Sequence, residues 1–205
     1  MVCLTVVFAC AVAYALSCTV EVGLVPTGSM ENTVLVGDHV LLAKLAYAPR
    51  LPLLNVRLPR WKHAKRGDLV SFEHPRSGMT YLKRVVAVGG DTVEIREHKL
   101  IVNGSEVTES YVSSSRLWRR MVVQRIAPGE LFVLGDNRDN SEDSRYWGTV
   151  PESAVLGEPV MVLWSFRAPT SEWLDKAGHV RPAAYVDVTT HLFTRTRWSR
   201  VATRL

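Results

Sequence analysis

From Val2 to Val20 the chain carries no charged residue, no Pro and no Gly, and Glu21 is its first charged side chain. As a helix rising ~1.5 Å per residue, that segment reaches about 28 Å, close to the ~30 Å hydrocarbon core of a bilayer. Residues 1–21 are therefore expected to form a transmembrane anchor, and residues 22–205 one domain of ordinary size. A retained helix is favoured because the segment lacks the basic n-region of a secretory signal. Two other readings stay open. Ala13-Tyr14-Ala15 and Ala15-Leu16-Ser17 offer small-residue cleavage patterns, and a helix of this kind also suits a core or a partner. Charge does not orient the segment. The nearest basic residue after it is Lys44, beyond the ~15–20 residues over which the positive-inside rule counts.

Cys3, Cys10 and Cys18 all lie within this stretch, so the domain after it can build neither a disulfide framework nor a cysteine metal site. The histidines, at 39, 63, 74, 98, 179 and 191, form no His-x-x-x-His pair, and no phosphate loop or dinucleotide fingerprint is present. No metal and no cofactor are expected. The net charge of +5 is clustered: Lys44, Arg50, Arg57, Arg60, Lys62, Lys65 and Arg66 fall in a stretch without acids, and Arg195, Arg197, Arg200 and Arg204 crowd the tail. Such clusters suit nucleic acid when they stand alone and an anionic lipid surface when they follow an apolar helix. The second setting applies here, so lipid is the expected partner and nucleic acid is not.

Beyond the anchor, short apolar runs alternate with turn signals, which predicts a mainly β domain. Strands are expected from Val34, over Asp68–Phe72, Tyr81–Val88, Thr92–Arg96, Lys99–Val102, Leu131–Leu134 and Val160–Phe166, with Asn103-Gly104 as a tight hairpin turn. Residues 49–66, rich in Pro and basic side chains, read as a surface excursion.

Three segments carry chemistry. In Val25-Pro26-Thr27-Gly28-Ser29-Met30, Pro and Gly set a tight turn that can present the Ser29 hydroxyl and nearby N–H groups to one carbonyl. The same composition also makes linkers. Lys83 stands inside the most β-prone run, Tyr81-Leu82-Lys83-Arg84-Val85-Val86, where alternation puts it on the face of Tyr81, Val85 and Ala87. If that face is buried, the amine must be paired or neutral, and a neutral amine can accept the serine proton; otherwise it is a strand lysine reaching solvent. The polar run Gly135–Gly148 follows a strand and predicts a loop fixed by its own hydrogen bonds. An acidic metal loop is its rival, without EF-hand spacing.

Taken in this order after an apolar helix, Pro-Thr-Gly-Ser-Met, Arg-Gly-Asp-Leu-Val-Ser-Phe, Tyr-Leu-Lys-Arg-Val-Val-Ala-Val-Gly-Gly-Asp and the Gly135–Gly148 run closely resemble the conserved boxes of bacterial type I signal peptidases, and Arg197-Trp198-Ser199-Arg200 looks like that family's basic C-terminal stretch. The resemblance implies an antiparallel β fold shared with self-cleaving repressors, behind one transmembrane helix. It implies a monomeric endopeptidase on the outer side of the cytoplasmic membrane, removing signal peptides from exported preproteins after Ala-x-Ala sites. By that resemblance Ser29 is the nucleophile and Lys83 the general base. Thr27 and the Ser29 N–H form the oxyanion hole, and Ser141 hydrogen-bonds the lysine. Arg84 with Asp136 and Asp143 with Arg145 are supporting pairs, while Val25, Met30, Val34 and Leu82 line the substrate pockets.

Three departures from the family pattern stand out: Asn32 where a Pro is usual, Gly89-Gly90 where Pro-Gly is commoner, and no basic residue before the helix. A maturation peptidase of the same Ser/Lys fold, serving conjugation or secretion, is the nearest alternative. A non-enzymatic anchored basic module is the other.

Overall fold

The computed structural model describes residues 2–45, 47, 50–51, 56–112, 121–167 and 181–205. Helix α1 (Val2–Thr19) runs without a break into β1 (Val20–Leu24). There follow β2 (Asp38–Ala43), β3 (Arg50–Leu51), β4 (Val56–Arg57), β5 (Leu69–Glu73), β6 (Thr80–Val88), β7 (Thr92–Arg96), β8 (Lys99–Val102), β9 (Ser105–Glu106), β10 (Met121–Arg125) and β11 (Glu130–Leu134). The chain continues through α2 (Ser144–Trp147), β12 (Val150–Pro151), β13 (Val155–Ser165), α3 (Pro182–Arg195) and β14 (Thr203–Arg204). The domain is mainly β, as the alternation predicts.

The larger sheet has the order β1-β2-β13-β5-β6-β11-β12, with β14 also on β13, and a smaller one runs β10-β7-β8-β9. The described strand pairs are antiparallel. β13 is the seam of the large sheet. Val155 and Gly157 pair with β5, and from Glu158 onward the strand pairs with β2, with register shifts on both sides. Bulges bend and twist a strand, so the sheet curls along β13 until β1 faces the start of β6 across a cavity.

β6 and β11 lie between two cores. Leu131 and Val133 enter one with Phe72, Val85 and Val150; Phe132 and Leu134 enter the other with Ala87, Ile95, Leu100 and Ile126. Burial on both faces accounts for the unbroken apolar runs Val85–Val88 in β6 and Leu131–Leu134 in β11. Each fully buried side chain of this size contributes ~1.5–3 kcal/mol relative to exposure.

β7 and β8 fall where the sequence places them, joined by Glu97 at φ 50° and His98 at φ 64°; Asn103 at φ 53° and Gly104 at φ 77° make the next turn, from β8 into β9, with the left-handed pair that a two-residue hairpin turn needs. Three outcomes differ from expectation. The strand expected from Val34 starts at Asp38, because the Asp38 carboxylate accepts the Leu35 N–H and closes a turn first. β1 lies in what reads as the end of the anchor. α3 carries no strong sequence signal: it starts with Pro182 in its first turn and buries Ala184 against Phe166, with Val188 packed alongside.

Within residues 49–66, β3 and β4 pair as a short ribbon, and residues 49 and 52–55 lie outside the description. Its far end is fastened to the body by Arg60 on Glu152 at 2.7 Å and by the Ala64 N–H on the same carboxylate. α1 has the helical backbone expected of the uncharged segment. Among the described residues no helix is long and apolar enough to cross a membrane, the side chains of residues 2–4, 7, 11–13 and 15–16 being outside the description.

Candidate active site

Ser29 owes its position to packing beneath it. As the chain leaves β1, Val25 exchanges hydrogen bonds with Asp38 O and the Gly37 N–H at 2.8 and 2.9 Å, and Gly28–Met30 forms a single 3-10 turn closed by the Glu31 N–H on Gly28 O. Met30 and Val34 are driven into an apolar cluster with Val40, Leu42 and Leu69. That leaves Ser29, 8% exposed, at the head of the turn. N–H groups at such a start have no partner within the turn itself, so they stand available to an oxyanion.

Lys83 approaches from the middle of β6, only 3% exposed, and its Nζ donates to Ser29 Oγ at 2.7 Å. Burial lowers its pKa from 10.5 to about 8; the carboxylates of Asp143 and Glu142 oppose that fall and Arg145 adds to it. The Tyr81 ring lies 5.5 Å from the amine. Tyr81 and Val85 pack on one side of β6 as alternation predicts, but Ala87 enters the opposite core. A bulge causes this: Ala87 and Val85 pair with adjacent residues Phe132 and Val133, so Val86 is an extra residue and the faces exchange.

Thr27 Oγ1 stands 3.4 Å from Ser29 Oγ, on the same turn. Ser141 is placed differently from expectation. Among the described residues its buried hydroxyl has no hydrogen-bond partner, and the bond expected to Lys83 is not made, the lysine amine being directed at Ser29 instead. A buried orphan hydroxyl costs ~1–3 kcal/mol and usually marks a strained or functional place. It packs against Gly135, where a Cβ would fall 2.2 Å from Ser141 Oγ and 2.5 Å from Ser29 O. Only glycine lets the polar loop lie this close to the Ser29 turn.

The supporting pairs form as expected. Arg84 makes a two-pronged contact with the wholly buried Asp136, Nε to Oδ1 at 2.8 Å and Nη2 to Oδ2 at 2.6 Å, and also donates to Gly67 O. Asp143 accepts from Arg145 Nε at 2.7 Å and from the Gly135 N–H at 3.0 Å. Sequence reasoning missed four members of this network. Arg138 is 2% exposed, donates to Gly135 O and grips Glu109 with two bonds of 2.6 Å; Asn137 holds the Ser29 turn through Ser29 O and Gly28 O, each at 3.1 Å. Arg138 and Asn137 belong to the polar run and were legible as loop residues, whereas Glu109 lies on a separate segment without any motif. The fourth is Asp38, wholly buried, which accepts from Ser165 at 2.5 Å and from Arg200 Nη2 at 2.6 Å.

A cavity of about 480 Å³ opens beside Ser29, with Val25, Met30, Leu82, Val40, Leu42 and Tyr81 among its walls. Val34 is not among them; it is wholly buried in the cluster behind, because its side chain seats the turn. The mostly apolar lining suits small aliphatic side chains. The site thus combines a hydroxyl, a buried amine in contact with it, a second hydroxyl and an adjoining apolar cleft. Among the described residues no group of His, Cys, Asp or Glu could hold a metal ion. Asn32 has φ 89°, a backbone that proline cannot adopt, so the turn after Ser29 takes a local path that the usual Pro forbids.

Residues 1–164 match the family described as "Signal peptidase, peptidase S26". Signal peptidase I of Pseudomonas aeruginosa is 35% identical over 184 residues, covering 71% of this chain and 65% of that protein. Signal peptidase I of Pseudomonas fluorescens is 32% identical with the same coverage, and that of Buchnera aphidicola subsp. Schizaphis graminum is 28% identical over 73% of this chain and 69% of its own. The chain therefore spans about two thirds of the length of these relatives. A crystal structure of a signal peptidase I from Enterococcus faecalis V583 shares 34% identity and covers 47% of this chain and 97% of its own, at a TM-score of 0.42, too low to bear on the fold.

Proposed function

The chain belongs to the signal peptidase family, peptidase S26, and from that premise we propose that it is a signal peptidase I, a Ser/Lys endopeptidase that removes signal peptides from exported preproteins after small residues. The observation that carries this reading is the 2.7 Å contact between a 3% exposed lysine amine and the serine hydroxyl at the mouth of an apolar cleft. In its neutral form Lys83 takes the Ser29 proton as Oγ attacks the carbonyl after the last signal residue. The oxyanion that forms is held by the Ser29 N–H and Thr27 Oγ1. The protonated lysine gives its proton to the leaving amine, and the neutral lysine then takes one from the water that hydrolyses the acyl-enzyme. General-base help of this kind is worth ~10²- to 10⁴-fold and an oxyanion donor ~10²- to 10³-fold. Ser141 lies next to the dyad with an unused hydroxyl and acts by turning to the lysine once Ser29 is acylated and no longer holds it. Arg84, Asp136, Asp143 and Arg145 keep the two strands and the loop in register.

Residues 1–21 anchor the enzyme by their uncharged helix, and residues 22–205 act as a monomeric domain on the outer side of the cytoplasmic membrane, within the signal-peptidase β fold. Anchoring adds rate without new contacts, because enzyme and membrane-held substrate share one thin layer. The test is cleavage of a preprotein bearing an Ala-x-Ala site by the purified protein. Ser29→Ala and Lys83→Ala should each abolish it while circular dichroism stays unchanged; full cleavage by either variant removes the dyad assignment. Protection of the domain from protease added to intact spheroplasts would overturn the outward topology.

A further inference from the structure

Next to the nucleophile stands a carboxylate that the chemistry above does not use. Glu31 follows Met30 and folds its side chain back over the turn: a Cβ placed on Gly28 would lie 3.1 Å from Glu31 Cδ and 3.2 and 3.3 Å from its carboxylate oxygens. Asn137 Nδ2 donates both to Gly28 O and to Glu31 Oε2, each at 3.1 Å, so the acid is tied to the turn through the polar loop. Glu31 is exposed, and no basic side chain pairs with it among the described residues. It is not among the walls of the apolar cavity, which Thr27, Ser29 and Met30 border.

The turn therefore has two unlike sides. On one, apolar walls receive the chain that becomes acyl-enzyme; on the other, a fixed and unbalanced negative charge stands over Gly28. A peptide attacked at Ser29 Oγ has its scissile bond between them, and the segment that departs as the new amine leaves past the charged side. We propose that Glu31 selects by charge the first two residues after the cut, favouring Lys or Arg and disfavouring Asp or Glu. This inference rests on the peptidase reading. For charges several ångströms apart at a wetted surface, the selectivity should be roughly three- to tenfold and should fall with salt.

The test uses the full chain in detergent and three peptides identical through an Ala-x-Ala site but carrying Lys-Lys, Gln-Gln or Asp-Asp just after it. The quantity read is the ratio of kcat/KM for the Lys and Asp peptides within each variant, so that changes in total activity cancel. The expected wild-type ratio is about three to ten at low salt, approaching one in ~1 M salt. Glu31→Gln should bring the low-salt ratio to about one, and Glu31→Lys should invert it. A wild-type ratio of one, or one that survives both substitutions, overturns the inference while leaving the peptidase reading standing. Failure of the wild type to cleave any of the three peptides overturns that reading and the inference with it.

Discussion

Lys83 is held in a place that disfavours its charge, and both its reactivity and its effect on stability follow from that. With a pKa of about 8 in the folded protein, the fraction of neutral amine rises through pH 7–9, so the rate should climb along a limb with an apparent pKa near 8 and level off above it. A limb near 10.4 would mean an exposed lysine instead. Stability has a definite sign. The unfolded chain keeps the ordinary value of 10.5, so between about 8 and 10.5 it binds the extra proton and stability rises with pH. Lys83→Met removes this dependence. Urea unfolding should show wild type gaining on that variant by about 3 kcal/mol between pH 7 and pH 11, and a constant difference across the window would contradict a buried amine. Thr27→Val should lower kcat by ~10²-fold with little change in KM, the signature of an interaction made only in the transition state.

At the level of elements, the polar loop between β11 and β12 positions Ser29 through backbone contact. Asn137 holds Ser29 O, and Gly135 lies so close to it that any Cβ would strike both that carbonyl and Ser141. Gly135→Ala should therefore push the turn away from Lys83 and reduce kcat by more than about 100-fold, as expected when reacting groups move by ~1 Å. A fully active Gly135→Ala enzyme would show that the contact is not needed. The ion pairs behind the loop act on folding. Asp136 and Asp143 are both wholly buried, and removing either leaves a buried arginine without its partner, which costs ~3–5 kcal/mol. Asp136→Ala should show that loss in urea unfolding; a change under about 1 kcal/mol would mean that water or Thr33 replaces the carboxylate.

Over the whole molecule, the charge clusters of the sequence are dissolved by folding. Lys44, Arg60, Lys62 and Arg66 meet Glu21, Glu152, Glu158 and Asp91. In the tail Arg195 meets Asp187, and Arg197 and Arg200 converge on Asp38. Fewer free cations remain for lipid phosphates than the linear clusters suggest, so the membrane attachment proposed above would rest mainly on the helix. Removal of residues 1–21 should release the protein from membranes at moderate salt; retention would show that the basic surface suffices. Arg200 also donates to Thr33 O and so ties the end of the chain to the segment that follows Ser29. Arg200→Ala removes the nearer of the two arginines on the buried Asp38 but leaves it Arg197 and the Ser165 and Leu35 donors, so it should lower stability by ~1–3 kcal/mol and activity with it.

The residues of the site were legible in the sequence because each sits in a short local pattern: a Pro-Gly turn around Ser29, a β-prone run around Lys83, a dense polar loop after a strand. The mainly β character, the helical start and most central strands follow from periodicity, which is also local. Tertiary structure alone decided the rest. The bulge at Val86 exchanges the faces of β6, the curl along β13 brings β1 opposite β6, Val34 lies beneath the turn instead of in the cleft, and Ser141 is left unbonded. Glu109, Asp38 and Glu152 find their arginines across long stretches of chain. A charge carries no periodicity, and its partner is chosen by which strands the sheet brings together. Spacing along the chain can therefore single out Ser29 and Lys83, but only the packed sheet sets their 2.7 Å contact and the burial that lowers the lysine pKa.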